Sequence, residues 1–270
     1  MKLSVSNFAW PQHEALWCYE QLAQRGIKGV EIAPTKVFGE NWVIDPDTVL
    51  SLRETLCSFD LHISSFQGLT YAKEDVALFG EGSDNFLSHM ETIAQLLVEC
   101  GADYAVLGAV KLRQHLPADY HEMSALFEAV AKRFSTVSKA LALESIPPVY
   151  GARLLRNLTE CTHLINDVDS DGLVLNFDTA NQFLCGDLLS GNYRHALAKA
   201  KHIHISEPDL CYFHQPSKYN VELASQVKRI YQGKWGVLEM GEKYFTRSGF
   251  QRSLDTFLKL YGPLSYSATL

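Results

Sequence analysis

Four polar residues stand at the ends of apolar runs in the chain's second half: Glu144 closes LALE, Asp178 closes LVLNFD, His204 lies in HIHISE and Glu239 closes WGVLE. Their successive separations are 34, 26 and 35 residues, each near the roughly 30 residues of one strand, its crossover helix and the loops. If the runs are neighbouring parallel strands, three carboxylates and an imidazole converge on one rim. Carboxylates brought together repel and take up protons unless a cation offsets them. The pattern therefore points to a divalent metal in an oxygen-rich site with one nitrogen donor. Mn²⁺ is the first choice, with Co²⁺, Mg²⁺ and Zn²⁺ compatible with the same donors. Any one of the acids alone could cap a helix or pair with a lysine; their joint spacing favours the metal. His202 and His204 share a strand face. His204, nearer the strand end, is the expected ligand, and His202 the hydrogen-bonded support or packing residue.

The elements that must position these groups recur along the whole chain. Eight β-rich or apolar runs, at 3–7, 28–33, 60–65, 103–108, 140–145, 172–177, 201–205 and 235–240, alternate with helical patterns near 12–25, 47–58, 83–100, 118–139, 157–168, 181–198, 221–232 and 250–260. Asp45-Pro46-Asp47 supplies a helix start, Asn157 with Glu160 a capping box, and Gly26 and Gly101 chain reversals. Eight units in 270 residues fit a single closed (β/α)8 barrel of the TIM type spanning residues 1–270, in preference to a doubly wound sheet with the same alternation.

Composition narrows the function. With 24 lysines and arginines against 31 acidic residues, net charge −7, the chain lacks the cationic field that holds a nucleic-acid backbone. The apolar runs fall short of the roughly 20 residues of a membrane span, and the start MKLSVSNFAWPQ lacks signal-peptide order, so a cytoplasmic protein without a membrane partner is expected. The six cysteines are scattered without a CxxC, arguing against a thiolate zinc cluster or a dithiol redox pair. Cys211 is the one to watch, because it follows the His204 strand.

The segments LALES around Glu144, LNFDTANQF around Asp178, KHIHISEPDL around His204 and WGVLEMG around Glu239 resemble those of the xylose isomerase-like TIM barrels, which include ketose 3-epimerases, hydroxypyruvate isomerases and inosose dehydratases. The resemblance covers essentially the whole chain. It implies that Glu144, Asp178, His204 and Glu239 hold one divalent metal, and that Glu144 and Glu239 are the catalytic acid/base pair on opposite faces of a small sugar or sugar phosphate. It also implies a homodimer or homotetramer. The chemistry is coherent: a base removes the proton beside a carbonyl while a metal stabilises the enediolate oxygens, and the second carboxyl returns a proton. Return to the same carbon epimerises; return to the former carbonyl carbon isomerises. The sequence departs from the ketose 3-epimerases where they carry a histidine after the ligand aspartate (Asn181 here), an arginine after the ligand histidine (Leu210 here) and an Asn-Arg-Phe-Glu run after the first glutamate (SIPPVYG here). The expected ligand set survives, whereas the epimerases' sugar-binding set does not.

Other residues near strand ends are expected to contact substrate. Asn7 and Trp10 follow the first strand, and the indole could cover a sugar's apolar face. His62 is placed in the pocket from the third strand, with Gln67 beyond it; Asn181 and Gln67 could bind hydroxyls, and Glu207 follows His204 directly. Lys111, Arg113, Lys218 and Lys243 lie near rim loops, but without a glycine-rich anion cradle. The leading expectation is a metal-dependent sugar isomerase or epimerase. The alternatives are an inosose dehydratase-like lyase, a non-catalytic carbohydrate-binding barrel, and, least favoured, a relative of the multi-zinc apurinic-site endonucleases, whose histidine-rich centre this chain lacks.

Overall fold

A computed structural model describes residues 1–189, 191 and 193–263. The eight strands, β1 (Lys2–Ser6), β2 (Gly29–Ile32), β3 (His62–Phe66), β4 (Tyr104–Leu107), β5 (Ala140–Glu144), β6 (Leu173–Asp178), β7 (His202–Ser206) and β8 (Trp235–Glu239), form one closed barrel in sequence order. Every pairing is parallel, and β8 closes on β1. The helices are α1 (Ala15–Gln24), α2 (Thr35–Phe38), α3 (Pro46–Ser58), α4 (Ser83–Cys100), α5 (Tyr120–Thr136), α6 (Leu158–Val168), α7 (Thr179–Leu184), α8 (Tyr193–Lys199), α9 (Lys218–Ile230) and α10 (Arg247–Tyr261). Each expected strand is present within two residues of its expected ends. The helix expected over 181–198 is instead two, α7 and α8, broken where Gly186 turns at φ +75°. The closing segment GPLSYSATL falls mostly outside the described residues.

Local signals act as the chain suggests. The Asp45 carboxylate accepts from the backbone N–H of Thr48 at 3.2 Å, with Pro46 in the first turn of α3, and Asn157 Oδ1 accepts from the backbone N–H of Glu160 at 2.9 Å. Gly26 and Gly101 both take φ +69°. All six cysteines are free thiols; Cys211 is half-buried in the loop after β7. No helix among the described residues is long and apolar enough to cross a membrane.

Strand alternation divides the molecule into two cores. Leu3, Val5, Val30, Ile32, Leu141, Leu143, Leu175, Phe177, Ile203, Ile205 and Leu238 belong to the buried apolar cluster that joins barrel and helices. The alternate positions are polar: Ser4, Ser6, Glu31, Ser64, Asn176, Asp178, His202, His204 and Ser206 are all buried, at 2% exposure or less. Bulky branched residues usually fill such a barrel, so this lining marks the interior as chemical. Gly29 allows the close packing: a Cβ there would lie 2.6 Å from the Cβ of Ser4 and 2.7 Å from the Trp235 ring.

Candidate metal centre

The period-2 alternation of β6 and β7 turns Asn176 and Asp178, and His202, His204 and Ser206, into the barrel, while β5 and β8 end on Glu144 and Glu239. One oxygen each of Glu144 and Asp178 and one ring nitrogen of His204 lie within 4.8 Å of one another. His204 Nδ1 is 3.1 Å from Glu144 Oε2 and 3.5 Å from Glu239 Oε2. The four residues singled out by spacing therefore converge on one rim.

A fourth carboxylate, which spacing missed, lies deeper. Glu31 on β2 is fully buried; its Oε2 accepts from Ser65 Oγ at 2.7 Å, lies 3.1 Å from His204 Nε2 and is 3.6 Å from His202 Nε2. Its signal in the sequence was an acid inside the apolar run GVEI. Below the rim, Asn176 Nδ2 donates to Glu144 Oε2 at 2.6 Å, so its Oδ1, 2.9 Å from His202 Nδ1, accepts the proton of that nitrogen. The Ser65 hydroxyl lies 3.0 Å from His202 Nε2 as well, one hydrogen facing two acceptors. His202 is thus the hydrogen-bonded support expected from its place on the strand.

Electrostatics follow from this crowding. Burial drives the Asp178 carboxyl up to about 7 and the Glu239 carboxyl up to about 8; neighbouring Glu144 adds to both shifts and His204 opposes them. Burial would lower His204, but Glu31, Glu239 and Glu144 outweigh it and hold the imidazole well above its ordinary range. For Glu31 burial acts upward, yet His204, His202 and Ser65 keep the carboxyl below its ordinary value. Burial lowers His202 to about 3, leaving it neutral.

The donor set fits a divalent cation. With Nε2–H directed at Glu31, His204 presents Nδ1 to Glu144 and Glu239, yet that buried nitrogen has no hydrogen-bond partner. A lone pair facing two carboxylate oxygens is repulsive unless a proton or a metal ion lies between them. Both oxygens of Asp178 are oriented, Oδ1 by the Asn181 backbone N–H at 2.6 Å and Oδ2 by Ser206 Oγ at 2.7 Å. Gly108 leaves room for Glu144, since a Cβ there would come within 2.8 Å of Oε1.

The remaining expected contacts divide. Asn181 is in the centre, its Nδ2 donating to Glu144 Oε1 at 2.8 Å. Asn7 Oδ1 accepts from the backbone N–H of Ala33 at 2.8 Å, tying β1 to the end of β2, and Gln67 Nε2 donates to Ser6 Oγ; both are buried beside the rim. Three expectations are corrected. Trp10 does not face a sugar: it is 1% exposed and packs edge-on against Tyr19 and Phe250. His62 opens β3, hence lies at the opposite end of the barrel from the carboxyl rim, and is exposed. Glu207 is consumed locally, accepting from Ser217 N at 2.9 Å, Ser217 Oγ at 3.0 Å and Asn220 Nδ2 at 2.8 Å at the start of α9.

Residues 19–221 match the model of the xylose isomerase-like TIM barrel family. The chain belongs to that family. No curated protein matches the chain by sequence. Among solved structures, the D-psicose 3-epimerase of Clostridium cellulolyticum H10 is 15% identical, with 97% of this chain and 100% of that one covered and a TM-score of 0.73. The 3-keto-D-glucoside 4-epimerase of E. coli is also 15% identical, with 94% and 97% covered and a TM-score of 0.74. A probable 3-DHS dehydratase of Bacillus anthracis is 17% identical, with 96% and 98% covered and a TM-score of 0.68. At these identities the likeness is one of fold, and it spans this family member from end to end.

Proposed function

We propose that this chain is a divalent-metal-dependent sugar isomerase or epimerase that moves a proton through the enediolate of a small ketose or related carbonyl substrate. The observation that carries the reading is the pair of glutamates from β5 and β8 flanking one unpartnered, buried imidazole nitrogen. Solved structures of similar fold that bear the names of a 3-epimerase and a 4-epimerase support it. Glu144, Asp178, His204 and Glu239 would hold the ion, Mn²⁺ being the first to test; when bound, it supplies the charge that stabilises the anionic oxygens of the deprotonated substrate.

The chain's own groups divide the remaining work. Glu144 is fixed, each oxygen taking an amide N–H, from Asn176 and from Asn181. Glu239 takes no hydrogen bond among the described residues and is paired only with His204, so its carboxyl has the freedom to accept or deliver a proton. Asn181, its N–H committed to Glu144, offers Oδ1 to a substrate hydroxyl. Barrel burial keeps the four groups away from bulk water, whose high dielectric would weaken the attraction between opposed charges.

The test is solvent deuterium incorporation over free and phosphorylated ketoses and inososes, read by mass spectrometry with and without Mn²⁺. Exchange that needs both the metal and the carboxylates, and is lost in Glu144→Gln and Glu239→Gln, is the expected result; a product lighter by one water would replace isomerase with lyase. A folded, metal-loaded protein exchanging nothing across the panel would favour a carbohydrate-binding barrel.

A further inference from the structure

We propose that Arg113 is a positioning residue for the metal centre, its guanidinium pinning the strand end that carries Glu144 and the loop that follows it. The inference rests on the metal reading above. Arg113 ends a single 3-10 turn, Lys111–Arg113, after β4; Lys111 is exposed, while Arg113 is wholly buried. Burying a guanidinium is costly, and a hydrogen-bonded carboxylate is the usual compensation. Here backbone carbonyls take that place. Nη2 donates to Leu107 O at 2.9 Å and Glu144 O at 3.1 Å, and Nη1 to Leu155 O at 3.4 Å, while Nε has no partner.

The three carbonyls belong to the end of β4, the end of β5 and the segment leading into α6. One side chain thus bridges two barrel strands and a loop. The loop is closed around it from the other side: the Arg153 backbone N–H donates to Arg113 O at 2.8 Å, and the Ile146 N–H donates to Leu155 O at 3.1 Å. Leu155 itself stands at φ +53°, a left-handed conformation that a branched side chain adopts only where surrounding bonds enforce it. The fixed cation also attracts the Glu144 carboxylate through space. Zero exposure argues against the other use of such an arginine, capture of a phosphate from solvent.

A positioning role differs from plain scaffolding in what its loss changes. The test compares Arg113→Met and Arg113→Lys with Phe134→Leu, a destabilising change at a buried α5 residue remote from these bonds. Mn²⁺ affinity is measured by electron paramagnetic resonance of the free ion, and amide exchange of residues 145–155 by mass spectrometry. Arg113→Met should weaken Mn²⁺ binding by about 10-fold or more, as losses of outer-sphere support do. Arg113→Lys, which retains the charge but cannot span three carbonyls, should fall between, and both should speed exchange in 145–155. Phe134→Leu should do neither. Wild-type affinity in both arginine variants, or equal weakening in Phe134→Leu, would overturn the proposal. If wild-type protein binds no Mn²⁺, the metal reading fails and this role with it, while the exchange data still report whether Arg113 holds the loop.

Discussion

Replacing Glu31 by glutamine would test whether the buried acid orients His204. The carboxylate is fully buried, 3.1 Å from His204 Nε2 and 2.7 Å from Ser65 Oγ. Stranding one member of a buried charge pair costs about 3–5 kcal/mol. His204 would not be wholly stranded, because Glu144 and Glu239 remain at 3.1 and 3.5 Å, so the lower end, about 3 kcal/mol, is expected. For a chain of this size that is a fall in Tm of about 6 °C. The amide oxygen of glutamine still accepts the Nε2 proton, so Nδ1 keeps facing the metal position and Mn²⁺ affinity should drop only about 10-fold. Glu31→Leu removes the acceptor and should cost about 100-fold. Thermal melts and metal titrations on the same samples give both numbers. Metal affinity unchanged in Glu31→Leu would refute the view that Glu31 sets the presentation of His204.

The metal-free protein should lose stability as pH rises from the ordinary carboxyl range, about 4, up to about 8. Asp178 and Glu239, held protonated in the fold to about 7 and about 8, keep protons that the unfolded chain has already released, and His204, raised in the fold, does the same above its ordinary range. Glu31 acts oppositely, its lowered value contributing stability that is lost only on acidification below the ordinary carboxyl range. The Mn²⁺ increment in Tm should therefore grow with pH, since the ion replaces those protons; melts in chelator and in Mn²⁺ across this range would check it, and a metal-free Tm that rises with pH would contradict it. Trp10→Ala should cost about 3–5 kcal/mol in chemical denaturation, through a cavity between Tyr19 and Phe250. His62→Ala, at an exposed position on the far end of the barrel, should change stability by less than about 0.5 kcal/mol and leave KM unaltered in steady-state assays.

The sequence carried the barrel and the convergence of its polar rim residues because both are written in local periodicity. Apolar runs of strand length, separated by helix-length patterns, specify parallel strands buried on both faces, and a polar residue closing such a run must lie at the carboxyl rim. That logic located Glu144, Asp178, His204 and Glu239 without any knowledge of contacts. It also placed His202 beneath His204, since the two-residue period puts both on one face.

What failed was whatever depends on where a side chain stands along the barrel axis or across it. His62 was misplaced because β3 begins at that residue, so its side chain lies at the amino end. Trp10 left the rim because the turn after β1 carries the indole between α1 and α10, where burial of an aromatic ring outweighs any exposed role. Glu207 was claimed by the start of α9 ten residues on, a partner that rim position does not reveal. Glu31 and Arg113 each depend on strands distant in the chain: Glu31 meets His204 across 173 residues, and Arg113 reaches the carbonyls of Glu144 and Leu155 across 31 and 42. Strand period dictates which face a residue takes, and hence which polar groups reach the rim. Barrel closure alone decides which buried charges become neighbours, because only the closed ring of registered strands brings β2 and β7 face to face across the interior and their atoms within hydrogen-bond reach.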